Sequence, residues 1–275
     1  MDSIQALILG IVQGLTEYLP VSSSGHLEIC REILGIDLPS ENILSFDVAL
    51  HAATVLSTIV VLWKEFLPLC RSFFTFRRDD NFYYVCKILV SCIPVAIVGF
   101  CFKDFVELFF GGSLTVVGIC LTITAALLAF SYFFRTRPLR PNPDFKPREI
   151  SWVDAFVIGV AQAIAVLPGL SRSGSTIATG IILGNKSEKV ASFSFFMVII
   201  PILGEALLDV KKMISPAADA VAQVSVGVMP LIVGFLASFL VGCLACKWML
   251  SIVKRGKLIW FAIYCLIVGL LCIIW

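Results

Sequence analysis

Charged residues are scarce in this chain of 275 residues. They make up 15% of the sequence, whereas a soluble domain carries about 25%. Hydrophobic residues reach 59%, and the mean hydropathy is +0.98. This composition excludes an ordinary soluble domain. The net charge of +2 gives no reason to expect a nucleic acid partner, so the expected surroundings are a lipid bilayer.

Two other features are missing from the sequence. The apolar N-terminus lacks a basic start and carries Gln13 and Glu17, so we expect no cleavable signal peptide. The ten cysteines also lack a metal or disulfide pattern, because Cys243 and Cys246 form a lone C-x-x-C without a second pair or a histidine. Most of the others fall in or beside apolar runs, where cysteine behaves as a small hydrophobe.

Long apolar runs are abundant, and six of them approach or exceed the roughly 20 residues that cross a bilayer. We predict an all-α polytopic membrane protein that forms a single domain over residues 1–275. The predicted spanning helices are Ser45–Phe66, Phe82–Phe102, Ser113–Phe134, Val190–Val210, Val224–Cys246 and Leu258–Trp275.

A segment near the N-terminus is repeated 149 positions later. Nine identities align Ala6–Gly35 with Ala155–Gly184, and they include Ser-x-Ser-Gly followed in register by Ile-Leu-Gly. The chain therefore divides into a first repeat over about residues 1–136, a linker over about 137–150, and a second repeat over 151–275.

Each repeat begins with a short helix, a polar loop and a second short helix. The first helices, Ile4–Leu19 and Trp152–Leu167, would each be about 24 Å long, which is too short for a ~30 Å hydrocarbon core. The second helices, Gly25–Leu34 and Gly174–Leu183, are shorter still. We predict two re-entrant hairpins, because irregular backbone at membrane depth must be buried in protein or line a cavity.

Topology follows from the order of these elements. Three predicted spans separate the hairpins, so the hairpins enter from opposite faces as an inverted-topology repeat, with a site near the midplane. Of the 21 basic residues, 16 fall on one side and four on the other. The rich side should be cytoplasmic, which places both termini and the mouth of the first hairpin outside.

The two polar loops carry the candidate site. Polar side chains within apolar sequence are costly and mark function, and a helix N-terminus binds anions through its N–H groups. Arg172 adds a forked donor that suits phosphate oxygens, although a carboxylate would bind in the same way. The predicted phosphate-binding residues are Ser22, Ser24, Gly25, Ser171, Ser173, Gly174 and Thr176.

Catalysis is predicted to involve Glu17, Ser23, His26 and Arg172. His26 follows Ser23 by three residues, so both can face one ligand, with His26 as base or as nucleophile. Glu17 can orient His26 or bind a divalent metal, for which Gln13 one turn earlier would be a weaker ligand. His51 is predicted to make an interhelical hydrogen bond, and the less favoured alternative is that it supports the site residues.

Glu17 with Pro20–His26, together with Pro168–Thr176, resembles the two signature motifs of the bacterial undecaprenyl pyrophosphate phosphatases, or bacitracin-resistance proteins. The resemblance covers nearly the whole chain. It implies hydrolysis of a polyprenyl diphosphate lipid at the outer face of the inner membrane, with Mg²⁺ or Ca²⁺ as cofactor. The residues at family site positions are Glu17, Ser22, Ser23, His26, Ser171, Arg172, Ser173 and Thr176.

The resemblance leaves several points open. The family assigns the nucleophile to the serine at Ser23 or the histidine at His26, and we favour Ser23 with His26 as acid or base. Gln13 stands where the family has Glu or Gln, which weakens a two-carboxylate metal site.

A transporter or flippase of an anionic polyprenyl lipid is the alternative function, since inverted repeats with broken helices are typical of transporters. A structural subunit is disfavoured by the polar loops, and a homodimer stays open.

Overall fold

The computed structural model describes residues 1–36, 38–102, 114–136, 147–204, 207 and 226–275. Apart from one isolated bridge between Arg148 and Asn185, the regular structure of these residues is helical. The helices are α1 (Ser3–Thr16), α2 (Ser23–Ile33), α3 (Ser40–Val61), α4 (Trp63–Phe74), α5 (Asp80–Cys101), α6 (Leu114–Ser131, continued by a π-helical turn over Tyr132–Thr136), α7 (Trp152–Ile164), α8 (Arg172–Ile182), α9 (Ser187–Met197), α10 (Val228–Lys254) and α11 (Ile259–Ile274).

Helix–loop–helix units occur at both predicted hairpins, as α1–α2 and α7–α8. The first helix of each hairpin begins with a capping box, in which Asp2 caps α1 and Ser151 caps α7. The predicted ends at Leu19 and Leu167 are wrong by three residues, since the helices stop at Thr16 and Ile164. The proline that follows each predicted end disfavours helical backbone in the residue before it, so the chain leaves the helix earlier and forms a longer polar turn.

Four helices are long and apolar enough to cross a bilayer, namely Asp80–Cys101, Leu114–Phe134, Ser187–Gly204 and Val228–Lys254. The chain is therefore a multi-pass membrane protein. The last predicted span is a 16-residue helix, Ile259–Ile274. The predicted linker lies mostly outside the described residues, as does the predicted C-terminal part of Val190–Val210.

Two predicted spans end elsewhere. The span predicted as Ser45–Phe66 stops at Val61, and the chain turns by 92° at Leu62 into α4. Helix α4 carries charges along with aromatic residues, a composition that favours the membrane interface over its core. Helix α10 continues eight residues beyond the predicted end at Cys246, because the aliphatic stem of Lys247 can lie along an apolar surface while its charge stays in water.

Each hairpin packs against a helix of the opposite half. Helix α1 lies along α10, where a Cβ added to Gly10 would stand 2.4 Å from the Gly234 carbonyl oxygen. Helix α7 crosses α5 in the same manner, with Gly159 against the backbone of Ser91. Small residues allow such close backbone contact, which helps to drive helix association in lipid. The two halves of the chain are thus interlocked.

All ten cysteines are free thiols. Cys246 is fully buried against the main core, as expected for a packing role, and Cys243 is partly buried.

Candidate active site

Glu17 is the central polar group of the first loop. It caps the end of α1, and its carboxylate is largely buried, with 9% of the side chain exposed. One oxygen, Oε2, accepts hydrogen bonds from the Gln13 amide at 2.9 Å and from the Ser23 hydroxyl at 2.8 Å. His51 Nε2 lies 3.5 Å from the same oxygen. The carboxylate is therefore a proton acceptor already bonded to the predicted nucleophile.

The second loop brings a positive charge to this carboxylate. Arg172 is the first residue of α8, and together with Glu17 and Ser173 it lines a cavity at the junction of the hairpins. Within the described residues its guanidinium makes no side-chain hydrogen bond or ion pair. The cavity continues between α3 and α9 along an apolar wall formed by Val55, Phe195, Val198 and Ile202. The cavity is therefore lined by charged and polar groups at one end and by apolar side chains at the other.

The two loops touch each other directly. The Ser173 hydroxyl donates to the Leu19 carbonyl oxygen of the first loop at 3.1 Å. A Cβ added to Gly25 would stand 3.1 Å from Gly169 Cα, so the glycine is needed for this approach. The sequence repeat is thus matched by two hairpins whose loops meet.

Both helices that leave the loops begin in the same way. Ser22 caps α2 by accepting from the Gly25 N–H at 3.3 Å, and Ser171 caps α8 by accepting from the Gly174 N–H at 3.0 Å. Ser24 and Ser173 stand 3.4 Å from the respective cap hydroxyls. Each loop therefore leads into a helix N-terminus with small residues, an arrangement suited to an anion.

The cap serines differ in backbone conformation. Ser171 has an ordinary φ of −69°, but Ser22 has a φ of 69°, a left-handed value that is rare outside glycine. Such backbone strain is found at functional sites, where the surrounding structure holds it in place. Here it accompanies the hairpin that carries Ser23 and His26.

His26 is oriented by groups other than the predicted one. Its Nδ1 lies 2.8 Å from the Ser22 carbonyl oxygen, and its Nε2 lies 2.8 Å from the Tyr264 hydroxyl of α11. The predicted contact by which Glu17 would orient His26 is thus absent, and Glu17 faces His51 instead.

Sequence reasoning missed Tyr264, and it gave the position of His51 beside the site residues only as the less favoured alternative. The bond that His51 makes is not the predicted interhelical one, since its Nδ1 lies 2.9 Å from the carbonyl oxygen of Asp47, one turn earlier in the same helix. That it also reaches the loop depends on how α3 packs beside α1. Tyr264 lies within an apolar run, and no motif or repeat distinguishes it.

The Thr176 hydroxyl forms hydrogen bonds within α8 and to α9. Its hydroxyl bonds to the Arg172 carbonyl at 2.9 Å and to the Ser194 hydroxyl at 2.6 Å. These contacts tie α8 to α9, and its predicted part in phosphate binding stays a prediction.

A divalent cation would find few protein ligands here. No cluster of three or more His, Cys, Asp or Glu side chains with metal-binding geometry occurs among the described residues. Gln13 Oε1, however, is buried without a hydrogen-bond partner, and its amide nitrogen is bonded to Glu17. One carboxylate, one amide oxygen and substrate phosphate oxygens form a donor set that suits Mg²⁺, so these residues fit such an ion.

A serine hydroxyl on a buried carboxylate, an arginine and two helix N-termini, all within a multi-pass helical protein, define an integral-membrane hydrolase of the phosphoryl-transfer class. Comparison with known proteins gives the family. The family described as bacitracin resistance protein BacA matches residues 6–271, and the chain belongs to it.

Curated relatives agree over the full length. The undecaprenyl-diphosphatase of Bacteroides thetaiotaomicron is 55% identical over 274 residues, which cover 100% of this chain and 99% of the relative. That of Bacteroides fragilis is 56% identical with 100% and 98% coverage. The undecaprenyl-diphosphatase of Carboxydothermus hydrogenoformans is 41% identical with 98% and 95% coverage.

Proposed function

We propose that this chain hydrolyses undecaprenyl diphosphate to undecaprenyl phosphate and inorganic phosphate. The observation that carries the proposal is the hydrogen bond from the Ser23 hydroxyl to Glu17, beside a cavity that Arg172 also lines. The names and full-length similarity of the relatives supply the substrate. The reaction regenerates the carrier lipid used in peptidoglycan synthesis, and the family's description links it to bacitracin resistance.

The first chemical step falls to Ser23. Its Oγ attacks the terminal phosphorus while its proton passes to Glu17, 2.8 Å away. The bond from that phosphorus to the bridging oxygen breaks, which releases undecaprenyl phosphate and leaves a phosphoserine. Arg172 and the N–H groups at the starts of α2 and α8 stabilise the charge that develops on the phosphoryl oxygens.

The second step is hydrolysis of the phosphoserine. Water attacks the phosphorus, the bond to Oγ breaks, and Ser23 recovers its proton from Glu17. His26, on the same helix as Ser23, is the base for this water. The neutral ring needed for that role agrees with its hydrogen bonds to Ser22 and Tyr264.

A divalent cation is proposed as cofactor, with Glu17 and Gln13 as its protein ligands. When bound, it would neutralise charge on the diphosphate oxygens. The unpartnered Gln13 Oε1 supports this assignment.

The membrane topology proposed for this function has six spans and two re-entrant hairpins, with both termini and the active-site mouth on the outer face of the inner membrane. The excess of basic residues on the opposite side supports this orientation. We expect a cysteine introduced at position 40 of a cysteine-free variant to react with an impermeant thiol reagent from outside the cell. Labelling from the cytoplasm alone would refute the orientation.

A flippase acting on the lipid product is the second candidate that the inverted repeat suggested. No described contact favours it, and the three relatives above are all named as diphosphatases.

The test of the proposed function is phosphate release by protein purified in detergent, where no two compartments exist. Undecaprenyl diphosphate should yield one phosphate per lipid, and a metal chelator should stop the reaction until Mg²⁺ or Ca²⁺ is restored. A protein that binds the lipid without releasing phosphate would disprove hydrolysis. Full activity in the presence of the chelator would disprove the requirement for a cation but not the hydrolysis.

A further inference from the structure

The imidazole of His26 is held on both of its nitrogens. The Ser22 carbonyl oxygen can only accept, so Nδ1 carries the proton in that 2.8 Å hydrogen bond. In the neutral ring Nε2 then bears the lone pair, and the Tyr264 hydroxyl donates to it at 2.8 Å. The two rings also lie nearly parallel, with centroids 5.6 Å apart. The tautomer of His26 is thereby set by its neighbours.

The Tyr264 hydroxyl limits how His26 can act as a base. Since the Tyr264 hydroxyl occupies the lone pair of Nε2, His26 can accept a proton only through that hydroxyl or after the hydroxyl has moved away. The Tyr264 hydroxyl oxygen retains acceptor capacity, so it can take up a proton while it gives its own proton to His26.

The backbone of Ser22, the residue that holds His26, differs from that of its counterpart in the second hairpin. The strained φ of Ser22 occurs where its carbonyl oxygen meets His26 Nδ1. In the second hairpin the position equivalent to His26 is Ser175, whose buried hydroxyl has no hydrogen-bond partner, and the cap serine there is unstrained. The strain therefore accompanies the histidine and is not a requirement of the hairpin fold.

We propose that Tyr264 is a proton-relay residue through which His26 acts. The proposal rests on the function proposed above and concerns its second step. As water attacks the phosphoserine, a proton passes from water to the Tyr264 hydroxyl oxygen, and the tyrosine's own proton passes to His26 Nε2. The new P–O bond forms, the bond from phosphorus to Ser23 Oγ breaks, and Oγ takes back the proton held by Glu17.

The test replaces Tyr264 with phenylalanine, which removes the hydroxyl and keeps the ring that stacks on His26. Tyr83→Phe is the matched control, because Tyr83 lies at the start of α5 and is similarly exposed, at 44%. We expect kcat to fall about a hundredfold in Tyr264→Phe, as for loss of a general base, with kcat/KM little changed, so that KM falls together with kcat. The first turnover should still release undecaprenyl phosphate at the wild-type rate, so phosphoserine should accumulate at Ser23.

Nitrogen NMR of labelled histidine gives a readout that does not depend on turnover. The chain has two histidines, so His26→Gln identifies the signals of His26. In Tyr264→Phe the Nε2 resonance should move toward that of an imine nitrogen without a hydrogen bond, and Tyr83→Phe should leave it in place.

Several results would overturn the relay. Wild-type kcat in Tyr264→Phe would show that the hydroxyl moves away during the reaction. An equal slowing of the first turnover and of the steady state would indicate a packing role, as would an unchanged Nε2 resonance. A wild-type protein that releases no phosphate would instead refute the proposed function itself.

Discussion

Replacing Ser23 with alanine is expected to reduce phosphate release from undecaprenyl diphosphate by at least about a thousandfold, as for loss of a nucleophile. The Ser23 hydroxyl is bonded to a buried carboxylate at 2.8 Å, so removing it removes both the attacking oxygen and the acceptor of the phosphoryl group. Steady-state release in detergent, with the thermal stability of the variant measured alongside, is the relevant assay.

Ser251→Ala provides the control, because Ser251 lies near the far end of α10 and its loss should leave the rate unchanged. Mass spectrometry of quenched wild-type enzyme should find phosphate on Ser23. Phosphate on His26, which survives alkaline but not acid quenching, together with substantial activity in Ser23→Ala, would make His26 the nucleophile and contradict the prediction.

Replacing Arg172 with alanine is expected to slow release by about a thousandfold, the lower range for loss of an arginine that stabilises a phosphoryl transition state. Arg172 shares the cavity with Glu17, and its guanidinium has no side-chain partner among the described residues, so it is available to the substrate. Arg172→Lys should recover little, since an ammonium ion cannot donate in a planar fork. The effect should appear mainly in kcat, measured over a range of lipid concentrations.

The fold control for these variants is the melting temperature, which should stay near that of the wild-type protein because the guanidinium holds no described element together. Near-wild-type kcat in Arg172→Lys would mean that only a positive charge is required. Near-wild-type kcat in Arg172→Ala would remove Arg172 from the site altogether.

Much of the site could be predicted because its residues are close in sequence. Glu17, Ser23 and the cap serines lie in two short loops, and polar residues between apolar runs mark those loops as functional. The repeat added that the loops are related, and the structure shows them in contact through Ser173 and Leu19. The starts of the second helices were predicted two residues too late, at Gly25 and Gly174, because the cap serines Ser22 and Ser171 begin α2 and α8 at Ser23 and Arg172.

Contacts between distant parts of the chain were beyond such reasoning. The partner of His26 is 238 residues away, and nothing in the apolar run around Tyr264 signals a hydrogen bond. The contact between Glu17 and His51 likewise depends on packing, because helical spacing relates His26 to Ser23 but does not give the direction in which α3 presents His51. The bend at Leu62 is of the same kind, since hydropathy measures length and polarity but not direction.

The sequence by itself determined that this is a multi-pass helical membrane protein with two related polar loops, because composition, hydrophobic run length and an internal repeat are all properties of neighbouring residues. The tertiary structure decided which side chains share a proton. In it the Ser23 hydroxyl is hydrogen-bonded to Glu17 and His26 to Tyr264. Hydrogen bonds depend on ångström-scale distances, which only the packing of the interlocked helices fixes.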